Sequence, residues 1–157
     1  MRVGITGHSN LTPDSVPVVA DALGKVLADF GDPVVGVTCL ARGADQIFAR
    51  VVLDTGGEIE VILPAADYRD RKVKPENCAE FEALLSRASR VNVLPFETSN
   101  RAAYMAASEA VLDGVDHLVA VWDGEPSDAR GGTADAVATA RERGVPVMTV
   151  WPDGAAH

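Results

Sequence analysis

The sequence predicts an α/β protein: a single Rossmann-like, three-layer domain over residues 1–157, with a mainly parallel sheet of about six strands and helices on both faces. Three observations predict this class. Short apolar runs alternate with segments of helical periodicity along the chain. Most runs are continuous, as in strands covered on both faces. The segments between them are long enough to hold crossover helices.

Each predicted element rests on its own pattern. The strands are expected at residues 3–6, 34–38, 59–63, 91–94, 117–121 and 147–150. The helices, with apolar residues three and four apart, are expected near residues 16–27, 44–52, 78–85, 103–111 and 134–138. Thr12 is a plausible N-cap for the first helix, with Pro13 at its first position. Residues 64–77 lack clear periodicity, which indicates an ordinary loop or an active-site flap.

Composition narrows the partners and the location. Asp and Glu outnumber Lys and Arg by 23 to 14, and a net charge of −9 opposes binding to nucleic acid. The one basic run, residues 69–74, is short and contains an acid. No apolar run approaches the roughly 20 residues that cross a bilayer, and no secretory signal is recognisable. We therefore expect a cytoplasmic protein that does not bind membranes, and the charge disfavours nucleic acid as a partner.

The two cysteines do not indicate a metal site. Cys39 and Cys78 lack the close Cys/His spacing of zinc ligands, so both are interpreted as small packing residues. The sequence predicts no metal site and no cofactor. A divalent metal could accompany a nucleotide, but no ligand pattern in the sequence supports one.

Ligands of parallel α/β sheets bind beyond the carboxyl ends of the strands. Three loops at these ends therefore supply the candidate ligand-binding residues. They are Gly7, His8 and Ser9 after the first strand; Arg42, Gly43, Ala44 and Asp45 after the second; and Trp122, Asp123, Gly131, Gly132 and Thr133 after the fifth.

Two of these loops begin helices and are suited to an anion. Free N–H groups at a helix start carry partial positive charge, and glycines let an anion approach the backbone. Arg42 could hold a phosphate, or could pair with a surface carboxylate. Thr133 could donate to a phosphate, or only cap a loop. Trp122 could stack on a base or pack in the core, and Asp123 could bind ribose or shape the turn.

Two familiar nucleotide motifs are missing from the sequence. No Gly-Lys-Ser/Thr stretch and no G-x-G-x-x-G fingerprint occurs. A P-loop nucleoside triphosphatase and a nicotinamide dehydrogenase therefore lose their main support.

Five stretches carry a family resemblance: GITGH, CLARGADQIFA, VILP, VAVWDG and GGTADAV. In order and placement they resemble the SLOG superfamily of Rossmann-like nucleotide-binding proteins. That superfamily includes the LOG-type, lysine-decarboxylase-like phosphoribohydrolases and the DNA-processing protein A family. LARGAD is similar to a stretch of the DNA-processing branch, and GGTADA to a stretch of the hydrolases. The resemblance implies nucleotide binding and a homodimer, for which the alanine-rich residues 102–110 are a candidate face unless they pack on the sheet.

The resemblance also bears on activity. It implies a catalytic glutamate three residues after Thr133, where this chain has Ala136. Asp135 lies one residue earlier, about 100° round the helix. The other groups that could act in catalysis are Asp45, Asp123 and His8.

Three functions follow, in order of preference. The sequence favours a sensor or carrier that binds a nucleotide or a nucleotide-derived phosphorylated molecule. The alternative is a phosphoribohydrolase-like enzyme that cleaves a nucleotide N-glycosidic bond, and the third is a DNA-binding module.

Overall fold

Six parallel strands form the sheet of the computed structural model, which describes residues 1–126 and 132–157. The strands are β1 (Arg2–Gly7), β2 (Val35–Thr38), β3 (Glu58–Leu63), β4 (Arg90–Val93), β5 (His117–Val121) and β6 (Val147–Val150). Their order across the sheet is β4-β3-β2-β1-β5-β6, and every neighbouring pair is parallel. The predicted α/β Rossmann-like class is confirmed.

Helices cover the sheet on both sides. They are α1 (Ser15–Ala28), α2 (Ala44–Asp54), α3 (Tyr68–Arg71), α4 (Cys78–Ser86), α5 (Arg101–Leu112) and α6 (Thr133–Glu142), with a 3-10 turn at Pro75–Asn77. Helices α1, α2 and α4 share one apolar core with the sheet, whereas α5 packs on the other side. Adjacent residues of β3 show this division, since Val61 lies in the first core and Ile62 in the second.

Two local predictions about helices need correction. Thr12 is not the N-cap of α1, which begins at Ser15 after a turn closed by the Ser15 N–H to the Thr12 carbonyl at 2.9 Å. The Thr12 hydroxyl instead lies 2.6 Å from the Ser15 hydroxyl. Residues 64–77 are not a bare loop, because they contain α3 and the 3-10 turn.

One prediction about burial also needs correction, and one strand departs from the majority pattern. Strand β4 is not covered on both faces, since Val91 and Val93 are 44% and 48% exposed at the edge of the sheet. Cys78 is exposed rather than packed, whereas Cys39 is half-buried beside the second core. In the described parts of the chain, no helix is long and apolar enough to cross a membrane.

The strand order creates a crevice. From β1 the chain builds β2, β3 and β4 outward on one side, and β5 and β6 lie on the other side. The loops that follow β1 and β5 therefore diverge at the carboxyl edge of the sheet. This reversal of strand order is where open α/β sheets bind their ligands.

Candidate functional site

A cavity of about 570 Å³ opens at this edge, and we call it the switch-point cavity. Its wall combines the loops after β1 and β5 with the inner side of α5 and the start of α6. The sequence-predicted residues that line it are Gly7, His8, Ser9, Asp45, Trp122, Asp123, Gly132 and Thr133. Gly131 lies outside the described residues, and Arg42, Gly43, Ala44 and Asp135 do not line this cavity.

Gly7 and Gly43 join the loop after β1 to helix α2. A Cβ on Gly7 would lie 2.5 Å from the Ala44 Cβ and 2.8 Å from the Val121 carbonyl oxygen. Gly43 has φ +87°, and a Cβ there would lie 2.6 Å from the His8 carbonyl oxygen. The Ala44 N–H donates to that same oxygen at 3.1 Å. This amide at the start of α2 is therefore used within the fold.

The start of α6 lies at the cavity wall. Gly132 has φ −80° and ψ −174°, an extended conformation that any residue adopts, so no left-handed backbone is required there. Its carbonyl accepts from the Ala136 N–H at 3.1 Å, and among the described residues no side chain caps this helix end. Thr133 and Ala134 are half-buried and line the cavity. This is the helix end at which an anion is favoured by the backbone.

Three acidic residues line the cavity, Asp45, Asp123 and Glu125, and the pKa values of the first two are shifted. Asp45 is 8% exposed, and its Oδ2 accepts from the Ala41 N–H at 3.3 Å. Burial raises the pKa of the Asp45 carboxyl to about 7. Asp123 behaves in the opposite way, because hydrogen bonds from the Glu125 N–H and from His157 hold its pKa below the usual range. The pKa values of these two carboxyls are therefore shifted in opposite directions.

The helix position of the hydrolase glutamate faces the cavity. Ala136 lines it and is 7% exposed. Asp135 is exposed and lines a separate recess of about 40 Å³ beside α5, with Met105 and Glu109. In the described structure, Asp135 therefore does not replace the missing glutamate within the switch-point cavity.

His8 belongs to a cluster that includes a residue the sequence analysis missed, His157. The two imidazole rings stack with centroids 4.0 Å apart. The Asp123 N–H donates to His8 Nε2 at 3.2 Å, and His157 Nε2 lies 2.7 Å from Asp123 Oδ2. Burial, and then the charge of His157, lower the pKa of His8, so its imidazole is neutral at pH 7.

A second cavity, of about 540 Å³, adjoins the first, and Arg42 is one of the residues that line it. Lys72 and Lys74 line it too, so we call it the basic cavity. Arg42 also pairs with a surface carboxylate, since its guanidinium lies 3.7 Å from Glu76 Oε1 with both side chains more than half exposed. Tyr68 and Tyr104 line both cavities and form part of the wall between them.

The sequence has no close counterpart among known families. No family model matches it, and no curated protein matches it.

Solved structures do resemble the fold. DNA processing protein A from Streptococcus pneumoniae aligns with a TM-score of 0.70 at 17% identity, over 98% of this chain and 51% of that one. DNA processing protein A from Helicobacter pylori, described for its single-stranded DNA binding mode, aligns with a TM-score of 0.67 at 19% identity, over 95% and 64%. The molybdenum cofactor binding protein from Rippkaea orientalis gives a TM-score of 0.58 at 18% identity, over 97% and 77%.

These neighbours belong to the SLOG and DNA-processing group of Rossmann-like folds, so the resemblance predicted from the sequence is confirmed at the level of the fold. This chain spans only 51% and 64% of the two DNA processing proteins. Because one neighbour binds single-stranded DNA and another a small cofactor, the comparison does not support excluding nucleic acid as a partner.

Proposed function

We propose that the protein binds a nucleotide, or a nucleotide-derived phosphorylated small molecule, in the switch-point cavity. The observation that carries the proposal is the cavity itself: about 570 Å³, at the reversal of strand order, with the start of α6 in its wall. This volume lies within the range of about 300–1,000 Å³ usual for small-molecule sites.

The helix dipole at the start of α6 supports one orientation of the ligand. A phosphate placed against Gly132 and Thr133 meets the positive end of the α6 dipole, worth about 0.3–1 kcal/mol. The base then lies toward Trp122, whose Nε1 donates to the Glu125 carbonyl at 2.9 Å and so fixes the ring at the wall. Asp123 lies beside that ring and is available to ribose hydroxyls.

The proposal is tested by calorimetry and thermal unfolding with nucleoside mono-, di- and cyclic phosphates. A ligand at 100 times its dissociation constant should stabilise the fold by about 2.7 kcal/mol. Thr133→Glu places a carboxylate at the start of α6, where the phosphate is proposed to lie, and should weaken binding more than about tenfold by repelling it.

The matched control for that variant is Ala138→Glu on the exposed side of the same helix, which should bind as the unmodified protein does. Full affinity in a folded Thr133→Glu variant, or no response to any nucleotide, would contradict the proposal.

An enzyme that cleaves the N-glycosidic bond is the alternative, and the position of Asp45 favours it. A carboxyl with a pKa of about 7 at the cavity wall can donate a proton near neutral pH to a departing base. Chromatography of nucleoside monophosphates incubated with the protein would reveal free base. Release of base that Asp45→Asn abolishes, with nucleotide binding retained, would establish hydrolysis over simple binding.

Binding of single-stranded nucleic acid is a further candidate, favoured by the basic cavity. Arg42, Lys72 and Lys74 could contact phosphates there, while Tyr68 and Tyr104 border it with aromatic rings. Filter binding of a thymidine oligonucleotide across a salt series tests this function. Affinity that falls with salt and is abolished in Lys72→Glu/Lys74→Glu would support it, and no binding at low salt would rule it out.

The predicted homodimer and cytoplasmic location stay predictions. Ala103 and Ala107 of the candidate face are 0% and 2% exposed against the chain's own sheet and core, which leaves a smaller face for a partner. Light scattering at micromolar concentration should give twice the chain mass of 16.5 kDa if the dimer forms.

A further inference from the structure

We propose that His8, Asp123 and His157 form a binding site for a divalent transition-metal ion of the zinc type. Each residue offers one ligand atom, and the three atoms lie within 4.8 Å of one another. They come from the segments that follow β1, β5 and β6, and all three residues line the switch-point cavity. Three distant parts of the chain thus converge on one small volume.

The distances are close to those of a small ion, but the His8 and His157 rings stack with planes 17° apart, so the His157 ring must rotate before both imidazoles point at one ion. His8 Nε2 lies 3.5 Å from Asp123 Oδ1, and His157 Nε2 lies 2.7 Å from Asp123 Oδ2. A tetrahedral zinc ion with bonds of about 2.0–2.1 Å holds its ligand atoms about 3.3 Å apart. The ion would replace the Asp123 N–H as the partner of His8 Nε2, which accepts that hydrogen bond at 3.2 Å.

The backbone holds two of these ligands in place. The His8 N–H donates to the Val121 carbonyl, and the His8 carbonyl accepts from the Ala44 N–H, both at 3.1 Å. Beside His157, the Ala156 N–H donates to the Ser15 hydroxyl at 2.8 Å. These hydrogen bonds position His8 and the segment carrying His157 before any ion arrives, which reduces the entropic cost of binding.

The site is partly buried and one of its rings is held by packing. The side chains of His8, Asp123 and His157 are 17%, 22% and 33% exposed, so the site is sheltered yet reachable. The Trp151 ring packs edge-on against His8 with centroids 5.4 Å apart and limits the movement of that imidazole.

The donor set identifies the class of ion. Two imidazoles and one carboxylate suit zinc and neighbouring transition metals, whereas magnesium and calcium prefer oxygen ligands throughout. Three protein ligands leave at least one coordination position for water or another ligand. Because the cluster borders the cavity, that position is accessible to an anionic ligand oxygen. The site itself does not depend on the proposed nucleotide.

The competing role is purely structural: a His–Asp–His hydrogen-bond cluster that fastens the segment after β6. The two roles separate in a metal titration performed without nucleotide. We would titrate Co²⁺ while recording visible absorption, then displace it with Zn²⁺ and measure Zn²⁺ affinity by calorimetry. The background is Cys78→Ser, because this exposed thiol could bind zinc by itself.

The expected result is one saturable site per chain with a tetrahedral Co²⁺ absorption band. His157→Ala should lower Zn²⁺ affinity more than about tenfold, since even the removal of a ligand's hydrogen-bond partner has an effect of that size. Asp123→Asn should do the same. The control is His117→Ala, a histidine that begins β5 beside Phe30, which should leave affinity unchanged.

Circular dichroism shows which variants remain folded. If His157→Ala does not fold, the affinity of Asp123→Asn tests the proposal instead. No saturable site in the Cys78→Ser background would overturn the proposal, as would unchanged affinity in a folded His157→Ala or Asp123→Asn variant.

Discussion

The switch-point cavity and the basic cavity share a wall but attract anions in different ways. Five residues line both of them: Ser9, Asn10, Ala41, Tyr68 and Tyr104. The switch-point cavity offers the start of α6, together with three acidic residues and a histidine pair. The basic cavity offers the side chains of Arg42, Lys72 and Lys74.

The difference is one of rigidity and screening. Backbone dipoles at a helix start are fixed in direction and partly sheltered, so they select where a phosphate sits. Exposed lysine and arginine side chains are mobile and screened by salt, so they attract anions without fixing their position. In a chain of net charge −9, local arrangement and not overall charge decides where an anion can bind.

The largest effect is expected at Gly43, which lies in the segment joining the two cavities. With φ +87° and a Cβ position 2.6 Å from the His8 carbonyl oxygen, Gly43→Ala must both strain the backbone and displace the loop after β1. We expect urea unfolding to show a destabilisation of about 2–4 kcal/mol.

The control for Gly43 is Gly31→Ala, where φ is +85° and nothing lies within 4 Å of the added Cβ. This variant should show only the backbone part of the destabilisation, about 1 kcal/mol. Equal destabilisation in the two variants would mean that the packing between the loops contributes nothing to stability.

A smaller effect is expected from Asp45, and it depends on pH. Its folded pKa, about 7, lies above its ordinary value of 3.8. Between these values the unfolded chain loses the proton while the folded protein keeps it, so the free energy of unfolding should fall as pH rises from about 4 to 7. Above pH 7 the difference should level off, at no more than a few kcal/mol.

Asp45→Asn should remove that component of the pH profile, measured by urea unfolding from pH 4 to 8. Asp29→Asn, at an exposed carboxyl after α1, should keep the original profile. Parallel profiles for Asp45→Asn and the unmodified protein would contradict the assignment.

The smallest effect is expected at Arg42, and it separates the two cavities most directly. Because Arg42 lines only the basic cavity, Arg42→Ala should change mononucleotide affinity less than about twofold. If an oligonucleotide binds, the slope of its salt dependence should become shallower by about 0.7 for each phosphate that the variant no longer neutralises.

Arg50→Ala is the matched control for Arg42, since Arg50 is an arginine of α2 paired with Glu80 and lining neither cavity. A tenfold decrease of mononucleotide affinity in Arg42→Ala would show that Arg42 holds a phosphate of the bound nucleotide, one of the two roles open from the sequence.

Much of the fold could be predicted because strand and helix periodicities are local. All six strands lie within a residue of their predicted limits. The exposure of β4 was not predicted, because it depends on the place of this strand at the sheet edge, which no local pattern encodes. The Thr12 cap failed for a similar reason: the Ser15 hydroxyl donates to the carbonyl of Ala156, 141 residues away.

Part of the site could be predicted from the rule that ligands bind beyond the carboxyl ends of parallel strands. That rule brought together His8, Asp45, Asp123 and Thr133, which all line the cavity. It could also have indicated His157, because β6 ends at the same edge, but the residue lies seven positions beyond the strand in a segment without periodicity. The position of Arg42 depends on the direction of its side chain, which spacing alone does not give.

Both tryptophans of the chain lie around this site, and that gives the protein an optical reporter of its own. Trp122 lines the cavity, and the Trp151 ring lies 5.4 Å from His8 and 5.9 Å from His157. A ligand or ion that engages these residues changes the surroundings of the indole rings and should therefore change their fluorescence. Since Trp122 borders the ligand cavity and Trp151 the histidines, Trp122→Phe and Trp151→Phe would report the two events separately, with no attached dye.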